Sequence, residues 1–148
     1  MIYIFDIDGT IADATHRLHF IQDHVPRKWD EFFAGTIDDA PKFAVIDVLS
    51  ALYAVGHDIW YWSARPEHTR KMTLTWLNTF GLYPCMDDLR MRPDGDRRHD
   101  DILKEEWLHS LSVEERSRLA GVFEDRARVA EMYRRNGVTC FHVARGNF

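Results

Sequence analysis

Residues 1–10 read MIYIFDIDGT, five apolar residues followed by two carboxylates, Asp6 and Asp8, with Ile7 between them. An unbroken apolar run, as opposed to an alternating one, is the pattern of a strand covered on both faces, as in a parallel sheet. In open parallel α/β sheets ligands bind outside the carboxyl ends of the strands, so acids placed directly after such a strand stand where chemistry takes place. In extended geometry Asp6 and Asp8 point to the same side and both face one ligand, unless the turn has already begun. Gly9 then permits a sharp turn.

Working outward, further strands are expected at 57–62, 89–92, 119–123 and 138–144. Between them apolar residues recur at helical spacing. Val45, Val48, Leu49 and Leu52 precede Gly56, Thr73, Trp76, Leu77 and Phe80 precede Gly81, and Val129, Met132 and Tyr133 precede Asn136 and Gly137; these glycines suit helix stops. Strands alternating with helices predict a parallel α/β sheet with right-handed crossovers. The segment 11–43 breaks the alternation. It reads as a small helical cap over one end of the sheet, with short helices near 16–23 and 28–33 on either side of Pro26.

With 148 residues the chain suits one domain with a small insertion, and 45% hydrophobic residues exclude a disordered chain. No segment approaches the roughly 18 apolar residues of a membrane span. The N-terminus lacks the basic region and cleavage site of a signal peptide. Two cysteines far apart, Cys85 and Cys140, suit a reducing compartment, so a cytoplasmic location is expected. A net charge of −5 disfavours non-specific wrapping of nucleic acid but leaves room for local grip on a phosphate or a strand end.

Three more features belong with Asp6 and Asp8. The strand expected at 119–123 runs into Glu124 and Asp125, so two strands end in acids whose mutual repulsion a bound cation would relieve. The all-oxygen donor set favours Mg²⁺ over zinc or copper. The strand DIWYW ends in Ser63, Ala64, Arg65 and Pro66: a hydroxyl donor, a planar guanidinium suited to phosphate, and a proline suited to the first turn of the next helix. Lys104, one of four lysines, is a candidate counter-charge to a phosphoryl group.

A first strand ending in DxDGT, a Ser after a later strand, a helical Lys and a closing acidic pair, in that order, resemble the haloacid dehalogenase superfamily of phosphotransferases. Within it the chain is similar to the phosphatase domains of the bacteriophage polynucleotide kinase-phosphatase family. These share an SGR-like turn at Ser63–Ala64–Arg65, a segment like GDRRHDDILKEE at 95–106, and a stretch like EDRARVAEMYRRNGVTCFHVARGNF at the end. None of the four lysines follows a glycine, so no nucleotide-binding P-loop accompanies them and the resemblance is to the phosphatase alone.

The resemblance implies a Rossmann-like three-layer fold with a central parallel sheet. It also implies an Mg²⁺-dependent phosphomonoesterase acting on 3′-phosphates of DNA or RNA ends. Asp6 is then the nucleophile and Asp8 the general acid and base. Asp6, the Asp8 main-chain carbonyl and Asp125 hold the ion, and Ser63 and Lys104 hold phosphoryl oxygens. Thr10 supports the loop or a phosphate oxygen, and Arg65, Arg98, Asp100 and Arg126 join it as substrate-binding residues. Glu124 stands where the family has Asp, and its longer arm leaves open contact with the ion or with a water on it. Ala64 replaces a glycine and stiffens the turn that carries Arg65.

Other readings remain. A nucleotidase for free nucleoside monophosphates uses the same chemistry. A signalling receiver domain takes its phosphoacceptor from a later strand and lacks the second acid. Arg90, Arg92, Arg97 and Arg98 form a candidate cluster for a second phosphate of a strand, partly offset by Asp94 and Asp96. In the cap, His16, His19 and His24 offer a weak second metal pattern, and Trp29, Phe32 and Phe33 a small core or a stacking surface for a base.

Overall fold

The computed structural model describes residues 1–22 and 26–146. Asp23 and His24 of the expected cap, and Asn147 and Phe148 of the final stretch, lie outside the described residues. In chain order the strands and α-helices are β1 (Ile2–Phe5), β2 (Ala12–Asp13), α1 (Trp29–Ala34), β3 (Ala40–Pro41), α2 (Phe43–Ala54), β4 (Asp58–Pro66), α3 (Arg70–Thr79), β5 (Leu89–Arg92), α4 (Asp100–His109), α5 (Val113–Arg118), β6 (Leu119–Arg126), α6 (Ala127–Arg135) and β7 (Cys140–Gly146).

The five long-range strands form one sheet in the order β5-β4-β1-β6-β7, every neighbouring pair parallel. The chain lays β4 and β5 to one side of β1, then returns to lay β6 and β7 on the other. The order therefore reverses at β1, and in sheets of this kind the carboxyl ends of the strands at such a reversal, here β4, β1 and β6, are where ligands bind.

Strand alternation sorts the core into two layers. Phe5, Tyr61 and Phe123 face the side covered by α2 and α3, with Ile46, Leu49, Trp76 and Leu77. Ile4, Trp62 and Val122 face the side covered by α4 and α6, with Leu103, Trp107, Met132 and Tyr133. The three-layer arrangement follows from this two-sided burial. Phe5, Phe123 and Phe141 stack across β1, β6 and β7 at 4.3 and 4.6 Å between ring centroids.

The expected helix stops hold, with Gly56, Gly81 and Gly137 in the left-handed region. Differences lie at strand ends and in the cap. β4 continues through Ser63 and Arg65, and Pro66 is its last residue, followed by a 3₁₀ turn at Glu67–Thr69; it does not open the next helix. β6 likewise continues through Glu124 and Asp125 to Arg126. The first cap helix is a 3₁₀ segment, Thr15–Phe20, and a second one, Gly35–Asp38, follows α1. At the neck of the cap, β2 and β3 pair antiparallel, Ala12 with Pro41 and Asp13 with Ala40. Helix α5 was not expected. Its start carries a reciprocal cap, in which the Glu115 amide donates to Ser112 Oγ and the Ser112 amide to Glu115 Oε2. No described helix is long and apolar enough to cross a membrane.

Candidate active site

At the end of β1 the Asp6 amide still donates to the Phe123 carbonyl of β6, at 3.0 Å. The chain then turns tightly, with the amides of Thr10, Ile11 and Ala12 all donating to the Ile7 carbonyl. Gly9 has φ +85°, and a Cβ built there would lie 2.1 Å from Asp125 Oδ2. Two independent demands thus require glycine: the left-handed backbone and the carboxylate packed against its Cα.

Around Asp6 lies a buried charge cluster. Lys104, from α4, donates to Asp6 Oδ1 at 2.6 Å and to Glu124 Oε2 at 2.7 Å, and Thr10 Oγ1 donates to Asp6 Oδ2 at 3.3 Å. Asp6, Glu124 and Asp125 offer carboxylate oxygens within 4.8 Å of one another. Both oxygens of Asp125 are buried without a hydrogen-bond partner. The Lys104 ammonium and the nearby Arg126 guanidinium do not balance three carboxylates in this space, with Asp100 also drawing on Arg126. Burial pushes the Asp6 carboxyl up to about 7, the pull of Lys104 being opposed by Glu124. Burial, with Asp6 and Glu124 beside it, pushes Asp125 up to about 8. Lys104, despite its burial, is held well above the usual lysine range by the same two acids. An all-oxygen set with one orphaned carboxylate, in a space no Cβ fills, fits a hard divalent cation.

Asp8 sits in a second cluster. Its Oδ1 accepts from Arg17 Nη2 at 2.7 Å and from Arg65 Nε and Nη2 at 3.0 and 2.5 Å. Both guanidinium groups also grip Asp39 of the cap, Arg17 through Nε and Nη2 at 2.7 and 2.6 Å and Arg65 at 2.9 Å. Burial alone would raise Asp8, but Arg65 and Arg17 hold it well below the usual carboxylate range. Asp39 is fixed in turn by Trp76, whose indole N–H donates to its carbonyl at 2.8 Å.

The expected residues are placed as follows. Asp6, Asp8, Thr10, Ser63, Arg65, Lys104, Glu124 and Asp125 all lie buried or half-buried at the carboxyl ends of β1, β4 and β6 or on the facing part of α4. Ser63 Oγ accepts the Arg65 amide at 3.2 Å. Asp100 bridges Arg92 and Arg126 beside them. Several of the expected groups are engaged by their own neighbours. Arg98 is held on the surface between Asp96 and Glu106. The Arg65 fork is occupied by Asp8 and Asp39. The arginine cluster is dispersed: Arg90 lies against the rings of Trp62 and Trp107, while Arg92 holds main-chain carbonyls and Asp100. In the cap, His16 pairs with Asp39 and His19 with the His16 carbonyl, so no histidine metal pair forms there among the described residues. Phe32 is buried beneath Arg17, whereas Trp29 stays 45% exposed.

Sequence reasoning missed Arg17, Asp39 and Lys42, which reaches the Gly9 carbonyl. All three come from the irregular cap or its neck, where no periodic pattern ranks one polar residue above another.

The reversal of strand order at an acid-bearing central strand, with a lysine and an acidic pair beside it, is the arrangement of haloacid dehalogenase-fold hydrolases. The family described as polynucleotide kinase PNKP phosphatase domain matches residues 1–148, and the chain belongs to that family; it is a phosphatase. Among solved structures it is similar to a chain of the Pnkp1/Rnl/Hen1 complex, with a TM-score of 0.78, 26% identity, and coverage of 99% of this chain and 46% of that one. It thus spans under half the length of that relative. A class C acid phosphatase from Bacillus anthracis (TM-score 0.60, 18% identity, 86% and 52% covered) and a hydrolase from Streptococcus pneumoniae (0.57, 16%, 97% and 92%) share the fold.

Proposed function

We propose that the chain is an Mg²⁺-dependent phosphomonoesterase that removes 3′-phosphate from DNA or RNA ends through an aspartyl-phosphate on Asp6, in the cytoplasm. The observation that carries this reading is Asp6 itself, at the end of the central strand. It is paired to Lys104 and flanked by the orphaned Asp125, and Asp8 follows two residues on.

A carboxylate oxygen of Asp6 attacks phosphorus, and the bond to the leaving oxygen breaks as Asp8 gives that oxygen a proton. In the second step Asp8 takes a proton from water, whose oxygen attacks phosphorus and frees phosphate and Asp6. At rest the two guanidinium groups keep Asp8 ionised, the form needed for the second step. A phosphate dianion competes for those guanidinium groups, and as they turn to it the Asp8 carboxyl rises toward the range in which it can donate. Ser63 and Lys104 hold phosphoryl oxygens. Lys104 has three N–H donors, two of them on Asp6 and Glu124, which leaves the third for substrate. Asp6, Asp125 and the Asp8 carbonyl would hold Mg²⁺, whose charge offsets the repulsion between an anionic nucleophile and an anionic substrate.

The substrate rests on the family and on the similar chain of an RNA repair complex. One observation favours the second reading, a nucleotidase for free nucleoside monophosphates: Arg90, Arg92 and Arg98 are all engaged by their own neighbours and form no track for a strand. Initial rates on 3′-phosphorylated and 5′-phosphorylated oligonucleotides and on free 3′- and 5′-mononucleotides decide the matter. The 3′-phosphorylated oligonucleotide is expected to be fastest, with all rates lost on chelation. A preference for free 5′-mononucleotides would replace the substrate and keep the chemistry.

A further inference from the structure

We infer that Trp29 of the cap is a specificity-determining residue, the platform on which a base at the phosphorylated end of the substrate stacks. The inference deepens the reading above and rests on it for the identity of the site.

The three aromatic residues of α1 divide into one that is buried and two that stack. Phe32 turns inward, with the guanidinium carbon of Arg17 at 4.1 Å from its ring centroid. Trp29 and Phe33, one helical turn apart, stack at 5.8 Å with 20° between their planes. Phe32 meets the indole at 5.9 Å and nearly at right angles. Two rings thus hold the indole in one orientation, yet Trp29 is 45% exposed. Trp62, Trp76 and Trp107 are buried and Trp60 is half-buried, so Trp29 is the one tryptophan with a largely open ring. An exposed ring braced from behind is what a stacking contact needs. Every base has a π-face, and a ring already fixed loses little freedom when a base settles on it.

The cap also brings this ring close to the reacting groups. Asp8 Oδ1 accepts from Arg17 Nη2 at 2.7 Å, Arg17 lies over Phe32, and Phe32 meets Trp29. Three contacts therefore join Asp8 to the indole, a path of about 14 Å at most, within reach of the last two nucleotides of a strand whose phosphate lies at Asp6. Arg27 borders the ring, its guanidinium carbon 6.0 Å from the centroid. Arg27 and Lys28 precede the ring and Asp30 and Glu31 follow it, so their formal charges cancel and the ring itself carries the contact. Such a platform gives a strand end a hold that the dispersed arginines do not.

Removing the base and the ring in turn separates stacking from mere support of the cap. Initial rates are compared on two 3′-phosphorylated oligonucleotides, one carrying bases on its last two nucleotides and one abasic at both. The proteins are the wild type, Trp29→Ala, Trp29→Leu, which keeps apolar bulk without a π-face, and Trp29→Phe, each checked for fold by circular dichroism. Wild-type kcat/KM should favour the base-bearing strand by about tenfold or more, chiefly through KM, and Trp29→Ala and Trp29→Leu should cut that ratio to within about twofold. Trp29→Phe should keep most of it. A ring that only supports the cap would slow both strands alike and leave the ratio as it was, which overturns the inference. So does a wild type indifferent to the bases. Faster turnover of free 5′-mononucleotides would replace the proposed substrate, and the ratio for the two strands would still decide the role of Trp29. A wild type that hydrolyses no phosphate ester would instead overturn the phosphatase reading. The ratio of affinities for the same two strands, from fluorescence anisotropy of a 5′ label, would then decide Trp29 in the same way.

Discussion

Asp125 shows how far a single residue can be pushed when its place is fixed by others. Its carboxylate is wedged against Gly9, with Asp6 and Glu124 as its acidic neighbours, and its own carbonyl accepts from His142 at 2.7 Å. Asp125 rises to about 8 and Asp6 to about 7 from an ordinary 3.8, so without a cation the folded chain holds protons that the unfolded chain has released. Stability from such groups is complete below about pH 4 and is lost as pH rises through 7 and 8. In chelator, the urea midpoint should therefore fall between pH 5.5 and 8.5, and Mg²⁺ should restore it most at the alkaline end. Asp125→Asn should flatten the slope. A midpoint that rises across this range, with no response to Mg²⁺, would contradict the cluster. Asp8 contributes nothing to this window: its depressed carboxyl loses stability only as pH falls below the ordinary carboxylate range.

The elements differ in how plainly the sequence announces them, and the reason is burial. β1 sits at 2–5, as its apolar run predicts, because a strand covered on both faces needs an unbroken run, whereas β5 at 89–92 is an edge strand whose LRMR alternates buried with half-buried residues. The carboxyl ends of β4 and β6 run on through the buried Ser63, Arg65, Glu124 and Asp125, since the ladder continues past a register shift while charged and polar neighbours engage most of these side chains. α5 was legible in principle from Ser112 and Glu115, the ends of its capping box. The cap was legible as an insertion and not in its parts. Two-residue strands carry no period, and the four charges that join cap to sheet, Asp8, Arg17, Arg65 and Asp39, meet only after folding. That network should decide whether the cap stays seated. Asp39→Ala leaves two buried guanidinium groups on one carboxylate and is expected to destabilise the protein by about 3–5 kcal/mol, read from urea unfolding. Arg98→Ala, which breaks two surface pairs, should leave the midpoint nearly unchanged. Equal effects from the two would show that the cap is not held by these charges.

Across the whole molecule, the chemistry gathers where the order of strands reverses, and that order is not written in any local pattern. The sequence places acids at the ends of the strands that became β1 and β6, yet only the lateral order β5-β4-β1-β6-β7 makes those two strands neighbours and brings Lys104 between their carboxylates. A fold that collects like charges at its centre carries strain that function requires and stability does not. Asp6→Asn tests this directly. The amide oxygen still accepts from Lys104, Glu124 keeps its own bond to that lysine, and the repulsion toward Glu124 and Asp125 falls. The metal-free variant should therefore melt no lower than wild type at pH 8. Turnover of an aryl phosphate should drop by more than about a thousandfold, since an amide oxygen cannot take the phosphoryl as the Asp6 carboxylate does. Substantial residual turnover would remove Asp6 from the nucleophile's role. A large loss of stability would show instead that the ionised Asp6–Lys104 pair holds the sheet ends together more than it strains them.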